Sequence, residues 1–262
     1  TDDGITIDAG RLIESIDERT AFVNISHVLF KSAFIQDVAA IARRAREVGA
    51  ITIVDGYQSV GTIPVDVQAL GVDVYIGGCL KWLCGGPGNA FLWVRPELRS
   101  RLRPRLAGWM SHVRPFAFDP RREPRDDAWR YLVGTPAVAA LHAARPGLDI
   151  INEVGIPAIR AKSERQTALL MDLARDRGFP VTTPAEPSHR GGTVAIDLPD
   201  GLEISRALKA RSILCDYRPG AGIRLSPHFY TADDELREAV DAIGEIVADG
   251  SWRGIASSSP VT

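Results

Sequence analysis

Residues 50–55 read Ala-Ile-Thr-Ile-Val-Asp, an unbroken β-branched run that stops at a carboxylate. A strand with one wet face alternates apolar with polar residues. A run without that alternation is the pattern of a strand covered on both faces of a parallel sheet. Its flanks agree. Upstream, Ile35, Val38, Ala39, Ala42, Ala45 and Val48 recur at helical spacing, with Arg43, Arg44 and Arg46 on the other side and Gly49 as a stop. Residues 21–25, 73–76 and 90–94 are further short strand-like runs, and a helical stretch is expected around 66–70. This β-α-β-α-β rhythm predicts an α/β fold, a three-layer α/β/α large domain with a mostly parallel sheet. Ligands of such sheets collect at the carboxyl edge, where Asp55 falls.

Residues 104–136 lose all periodicity, and a stretch that long inside a compact chain points to function. Beyond it, helices are expected at 136–144, 156–176, 202–211 and 232–248, with strands at 193–197, 213–217 and 222–226. The expected organisation is a cofactor-binding large domain over 1–145, a smaller α+β C-terminal domain over 146–250, and a Ser-rich flexible tail over 251–262. A chain of 262 residues, 45% of them hydrophobic, can bury the cores this requires. The formal charge of −2 offers no basic field for nucleic acid, and no apolar run suits a membrane. Cys79, Cys84 and Cys215 read as reduced thiols of a cytoplasmic protein, too sparse for a metal site.

The chemistry centres on Lys81, in Gly-Gly-Cys-Leu-Lys-Trp-Leu-Cys-Gly-Gly-Pro-Gly (77–88). Taken alone, Lys81 reads as a surface lysine, and Asp55 reads equally as a cap or a solvated strand end. Together they suggest pyridoxal phosphate: the amine can hold the cofactor aldehyde as a Schiff base, and the carboxylate can keep the pyridine nitrogen protonated. Apolar residues 74–76, Leu80, Trp82 and Leu83 bracket Lys81, so partial desolvation should lower its pKa as imine formation needs. Glycines 85, 86 and 88 let the backbone turn tightly. Gln58 is placed to donate an amide hydrogen to the phenolic oxygen. His27, His112 and His228 read as packed histidines rather than general acids.

A longer series carries a resemblance. Asp-Gly-Tyr-Gln-Ser-Val-Gly-Thr-Ile-Pro-Val-Asp (55–66), the stretch 71–92, Gly-Trp-Met-Ser-His (108–112), Gly-Thr-Pro (134–136), His-Arg-Gly-Gly (189–192) and 216–230 together resemble the class V aminotransferase superfamily, kynureninase-like proteins above all. The resemblance implies the pyridoxal-phosphate transferase type I fold and a homodimer with shared active sites. It matches Lys81 to the Schiff-base lysine, Asp55 to the pyridine-nitrogen partner and Gln58 to the residue beside the phenolic oxygen. Thr135 matches a residue reaching the cofactor phosphate of the neighbouring subunit, and Trp109 an aromatic of that shared site. Arg224 matches the arginine that clamps the substrate α-carboxylate, with pairing to an acidic neighbour as its alternative role.

The implied activity is that of a kynureninase-like lyase or an aminotransferase acting on an amino acid. The alternative is a truncated, catalytically silent homologue serving as a structural or binding subunit. Three departures matter. Leu80 stands where a tyrosine or histidine is usual, and Phe30-Lys31-Ser32-Ala33 replaces a Tyr-Lys-Thr-Gly-like stretch of kynureninases. No cysteine lies between Arg218 and Arg224, which disfavours a cysteine desulfurase. The family also has a phosphate-binding N-terminal segment ahead of the point matching Thr1, so the chain is expected to lack it.

Overall fold

The structure is a computed structural model and describes residues 3–254. Four strands form the first sheet: β1 (Phe22–Ser26), β2 (Ile51–Asp55), β3 (Val74–Gly78) and β4 (Ala90–Val94), in that spatial order. β1–β2 and β2–β3 are parallel, as the rhythm predicts, while β3–β4 is antiparallel. The connection 79–89 is too short for a crossover helix, so β4 can only turn back beside β3.

Helix α1 (Ala9–Glu14), absent from the elements expected above, and helix α2 (Val38–Glu47) cover one face. Asp37 caps α2 by accepting the Ala40 amide at 2.9 Å, and Ile41 and Ala45 pack with Val23, Ala50 and Ile16. Val38 and Ala42 pack with Val54, Val72 and Tyr75. The opposite face is thinner. Leu98, from the four-residue helix α3 (Pro96–Arg99), joins Val74 and Val94, while Ile51 and Ile53 of β2 stay half-buried. The expected double coverage of β2 is therefore uneven. Residues 66–70 form a single turn rather than a helix, because the Asp66 side chain accepts the amides of Gln68 and Ala69 and closes the turn locally.

Helix α4 (Val138–Val154) runs straight through the expected division at 145, and past Pro146. Helix α5 (Ile156–Asp176) follows, then β5 (Val194–Ile196), α6 (Gly201–Ala210), β6 (Asp216–Arg218), β7 (Gly222–Leu225) and α7 (Asp233–Asp249). The second sheet is antiparallel in the order β5-β7-β6. Its core gathers Leu170 and Met171 of α5, Ile204 and Leu208 of α6, and Val240, Ile243 and Ile246 of α7 against Val194, Ile196 and Ile223. The strand expected at 213–217 shrinks to β6. Ile213 still donates its amide to Leu208 at the end of α6, and Ser212 turns the chain at φ +64°. Ser251–Gly254, expected in a flexible tail, forms a 3-10 turn whose Trp252 packs on this core. Residues 255–262 of that tail lie outside the described residues.

Candidate active site

Asp55 ends β2 at the carboxyl edge of the first sheet, with its side chain exposed. One carboxylate oxygen accepts the Tyr57 amide at 2.8 Å. Among the described residues its other oxygen has no partner. β3 ends at Gly77-Gly78, and both glycines are required there: a Cβ on Gly77 would overlap the Phe91 ring and one on Gly78 the Tyr57 ring. The chain then turns, with the Cys84 amide donating to the Lys81 carbonyl at 3.1 Å and the Gly85 amide to the Cys79 carbonyl at 2.6 Å. The Lys81 ammonium comes to rest over the Tyr57 ring, 5.3 Å from its centroid. Tyr57 thus connects the two edges: its amide holds Asp55, its ring lies on Gly78, and its face meets Lys81.

Burial lowers the Lys81 pKa, and the positive charges of Arg224 and Arg218 push the same way; Asp55 and Asp216 oppose them. Lys81 and Asp55 are near enough to feel each other's charge. Lys81, Gln58 and Arg224 line one cleft of about 220 Å³, with Trp82, Thr193, Ser226 and His228. The Trp82 indole N–H donates to Gln58 Oε1 at 3.3 Å. Because an indole can only donate, this bond fixes the amide and leaves the Gln58 nitrogen for other acceptors. Arg224 is held by Asp216, whose Oδ2 accepts from Nε at 3.1 Å and also from Nη2, and by the Phe30 carbonyl. The acidic partner considered as its alternative role is present, in the same cleft.

Trp109 and Thr135 do not join these residues in the chain described. Trp109 borders a separate cavity of about 350 Å³ with Phe118 and Arg114. Its ring packs on Phe116 and Phe118, both more than 70% exposed. Thr135 is exposed. The N-cap of α4 is Ala137, with no side-chain bond, so Thr135 does not cap that helix. Thr193, Ser226 and His228 are the cleft residues missed as candidates; they arrive from the second sheet and its edges, and no local spacing announces them. Trp82 and Tyr57 sit beside Lys81 and Asp55 in sequence, and adjacency could have found them.

A sequence profile of the family described as aminotransferase class-V matches residues 1–215. The chain belongs to the class V aminotransferase family. Within the family it is 36% identical to a kynureninase of Pseudomonas fluorescens over 247 residues, covering 92% of this chain and 59% of that protein. It is 34% identical over 228 residues to an uncharacterized aminotransferase, YcbU, of Bacillus subtilis, covering 87% and 60%. The chain thus spans about 60% of the length of the curated relatives it matches. Among solved structures, an apo cysteine desulfurase of Thermococcus onnurineus superposes with a TM-score of 0.84 over 94% of this chain and 64% of that one, at 21% identity. At that identity the likeness establishes the fold, that of type I pyridoxal-phosphate enzymes, and not the reaction. Among the described residues no helix is long and apolar enough to cross a membrane.

Proposed function

We propose that this chain carries the lysine–aspartate half of a pyridoxal phosphate site and that the protein acts on an amino acid as a kynureninase-like lyase or an aminotransferase. The observation that carries the proposal is the meeting of Lys81, Gln58 and Arg224 in one cleft, within electrostatic reach of Asp55. These residues suit the cofactor. The unpartnered Asp55 oxygen can accept the pyridine N–H, the Gln58 amide nitrogen is left to donate to the phenolic oxygen, and the Lys81 amine, with its lowered pKa, is suited to hold the aldehyde. Bound there, pyridoxal phosphate supplies an electron sink for bonds to the substrate α-carbon. Lys81 is the base for the α-proton, and Arg224 orients the carboxylate. Lyase and transaminase chemistry share that first proton transfer.

Sulfur transfer is disfavoured on chemical grounds. Burial pushes the Cys215 thiol up to about 11, and its sulfur faces the Ser205 carbonyl at 3.8 Å. A cytoplasmic location belongs to the same proposal; among the described residues all three cysteines are free. So does a homodimer in which Trp109 and Thr135 reach the neighbouring site. The exposure of Leu106, Phe116 and Phe118 around Trp109 supports a covered surface there.

The deciding experiment is reduction with borohydride in the presence of pyridoxal phosphate, followed by peptide mapping. A pyridoxyl label on Lys81, absent in Lys81→Ala, is expected, with a keto acid or a cleaved side chain released from an amino-acid substrate. Sedimentation should show a dimer that Phe116→Ser with Phe118→Ser weakens. A dimer that never takes the label would instead identify a silent structural subunit.

A further inference from the structure

His228 stands between β7 and α7 and lines the Lys81 cleft, half-buried. Two aromatic rings hold its plane: Tyr230 stacks on it with centroids 4.5 Å apart at 16°, and Trp82 lies 5.4 Å away at 30°. Its partners assign its nitrogens. The Phe229 amide donates to Nδ1 at 3.0 Å, so the proton of the neutral ring sits on Nε2. Nε2 lies 3.5 Å from Cys84 Sγ, the one acceptor within hydrogen-bond reach of it among the described residues. The ring therefore donates into the turn that carries Lys81.

That turn needs a restraint. Cys84 adopts φ +53°, a left-handed conformation uncommon for a residue with a side chain, at the point where its amide closes back on the Lys81 carbonyl. The same ring reaches a second cleft residue, because the Trp82 that it packs against holds the Gln58 side-chain oxygen. The segment bearing His228 is itself anchored. Its amide donates to Thr231 Oγ1 at 3.0 Å, and from α5 Lys162 donates to the Phe229 carbonyl at 2.7 Å and Gln166 to the Thr231 carbonyl at 2.8 Å. A continuous path of hydrogen bonds and ring contacts thus runs from α5 through His228 to the Lys81 turn and Gln58.

We infer that His228 is a positioning residue for the lysine of this site: a neutral imidazole that donates from Nε2 to Cys84 in the 81–84 turn, packs against Trp82, and so fixes the Lys81 amine and the Gln58 amide in the cleft they share with Arg224. It acts through the turn and transfers no proton itself. Burial keeps the ring neutral, and a proton on Nδ1 would cost the bond from Phe229. The inference rests on Lys81 being the cofactor lysine.

Its test uses two measurements on the whole chain. The first is the pH dependence of Lys81 acylation without cofactor, read by peptide mass spectrometry. The second is the pyridoxal phosphate concentration that half-saturates borohydride-fixed labelling of Lys81. In His228→Leu the acylation midpoint should move up towards that of a free lysine, as the amine escapes to water. Half-saturation should need about tenfold more cofactor, the effect of one ordinary hydrogen bond. His228→Gln, which returns an N–H near the Nε2 position, should recover most of both. Unchanged midpoint and half-saturation in a folded His228→Leu, or a His228→Gln no better than the leucine variant, would overturn the assignment. If His228→Leu fails to fold, Cys84→Ala removes the acceptor and should give the same upward movement at smaller size; no movement there also overturns it. Wild-type protein that never takes the pyridoxyl label sinks the cofactor proposal instead, and the acylation midpoints still decide on His228.

Discussion

Arg224 enters the cleft already engaged. Asp216 sits between two guanidinium groups, paired with Arg218 at 2.8 Å through one oxygen and with Arg224 through the other. One carboxylate shared by two arginines leaves a positive charge unbalanced, so the pairing orients Arg224 without cancelling its attraction for a substrate carboxylate. It also bears on Lys81. Asp216 raises the Lys81 pKa while Arg224 and Arg218 lower it. Asp216→Asn should therefore move the midpoint of Lys81 acylation downward, and by loosening Arg224 should raise KM for an amino-acid substrate more than it lowers kcat. A midpoint that rises or stays put would show that Asp216 does not face the amine. Asp55, Gln58 and Lys81 were legible from one stretch of chain, because they lie on neighbouring turns of a single sheet edge and their order along the chain implies their proximity. Arg224, on β7 of the second sheet, was legible only through the resemblance carried by residues 216–230. Asp216, Thr193 and His228 owe their places to the docking of a second sheet, which leaves no mark in local spacing.

Helix α4 shows a tertiary contact overriding a local signal. A proline in a helix interior costs about 3 kcal/mol, which is why the sequence suggests a stop near 144. The helix continues because its neighbours need it. Ala144 and Gly147 are buried, and a Cβ on Gly147 would overlap the Cys84 carbonyl. Asn89 donates to both the Gly85 and the Ala140 carbonyls, at 3.0 and 3.1 Å, tying α4 to the Lys81 turn. Where no such conflict exists, the sequence was sufficient: α5 spans Ile156–Asp176 and β4 spans Ala90–Val94, as expected from their patterns. Two glycine substitutions separate propensity from packing. In a helix, Gly→Ala gains about 1 kcal/mol from propensity alone. For Gly147→Ala the overlap with backbone dominates, and overpacking of about 1–3 kcal/mol should leave the variant less stable in urea denaturation. For Gly244→Ala in α7 the new Cβ would meet only the Arg177 side chain, at 3.6 Å, so that variant should match or exceed the parent. Equal behaviour of the two would remove the claim that α4 is pressed against the turn.

Among the described residues, apolar clusters pack around each of the two sheets, and a buried polar chain runs beneath the Asp55 edge. The Ser59 hydroxyl donates to the Gly56 carbonyl, so it must accept from Tyr75, and the Tyr75 oxygen accepts from His27 Nδ1 at 2.9 Å. Burial pushes Tyr75 up to about 12 and His27 down to about 4. The unfolded chain takes up the His27 proton near the ordinary 6.5, while the folded protein refuses it until about 4. The stabilisation is thus complete above about pH 6.5 and is lost as pH falls towards 4, because in that interval the unfolded state binds more protons. At about 1.4 kcal/mol per unit of separation, the loss amounts to about 3 kcal/mol, a large share of the ~5–15 kcal/mol that holds a typical protein folded. Burial also lowers His228, which adds a contribution of the same sign. Asp233, held down at about 2 chiefly by its hydrogen bond to Arg165, loses its contribution only at lower pH, so it does not confuse the interval. Urea unfolding followed from pH 7 to 4.5 should show the decline. His27→Asn, which keeps a donor near the Nδ1 position but cannot titrate, should make it shallower whatever its stability at pH 7, leaving the His228 contribution. A slope unchanged by that substitution would mean that His27 is not the group being protonated as the fold gives way.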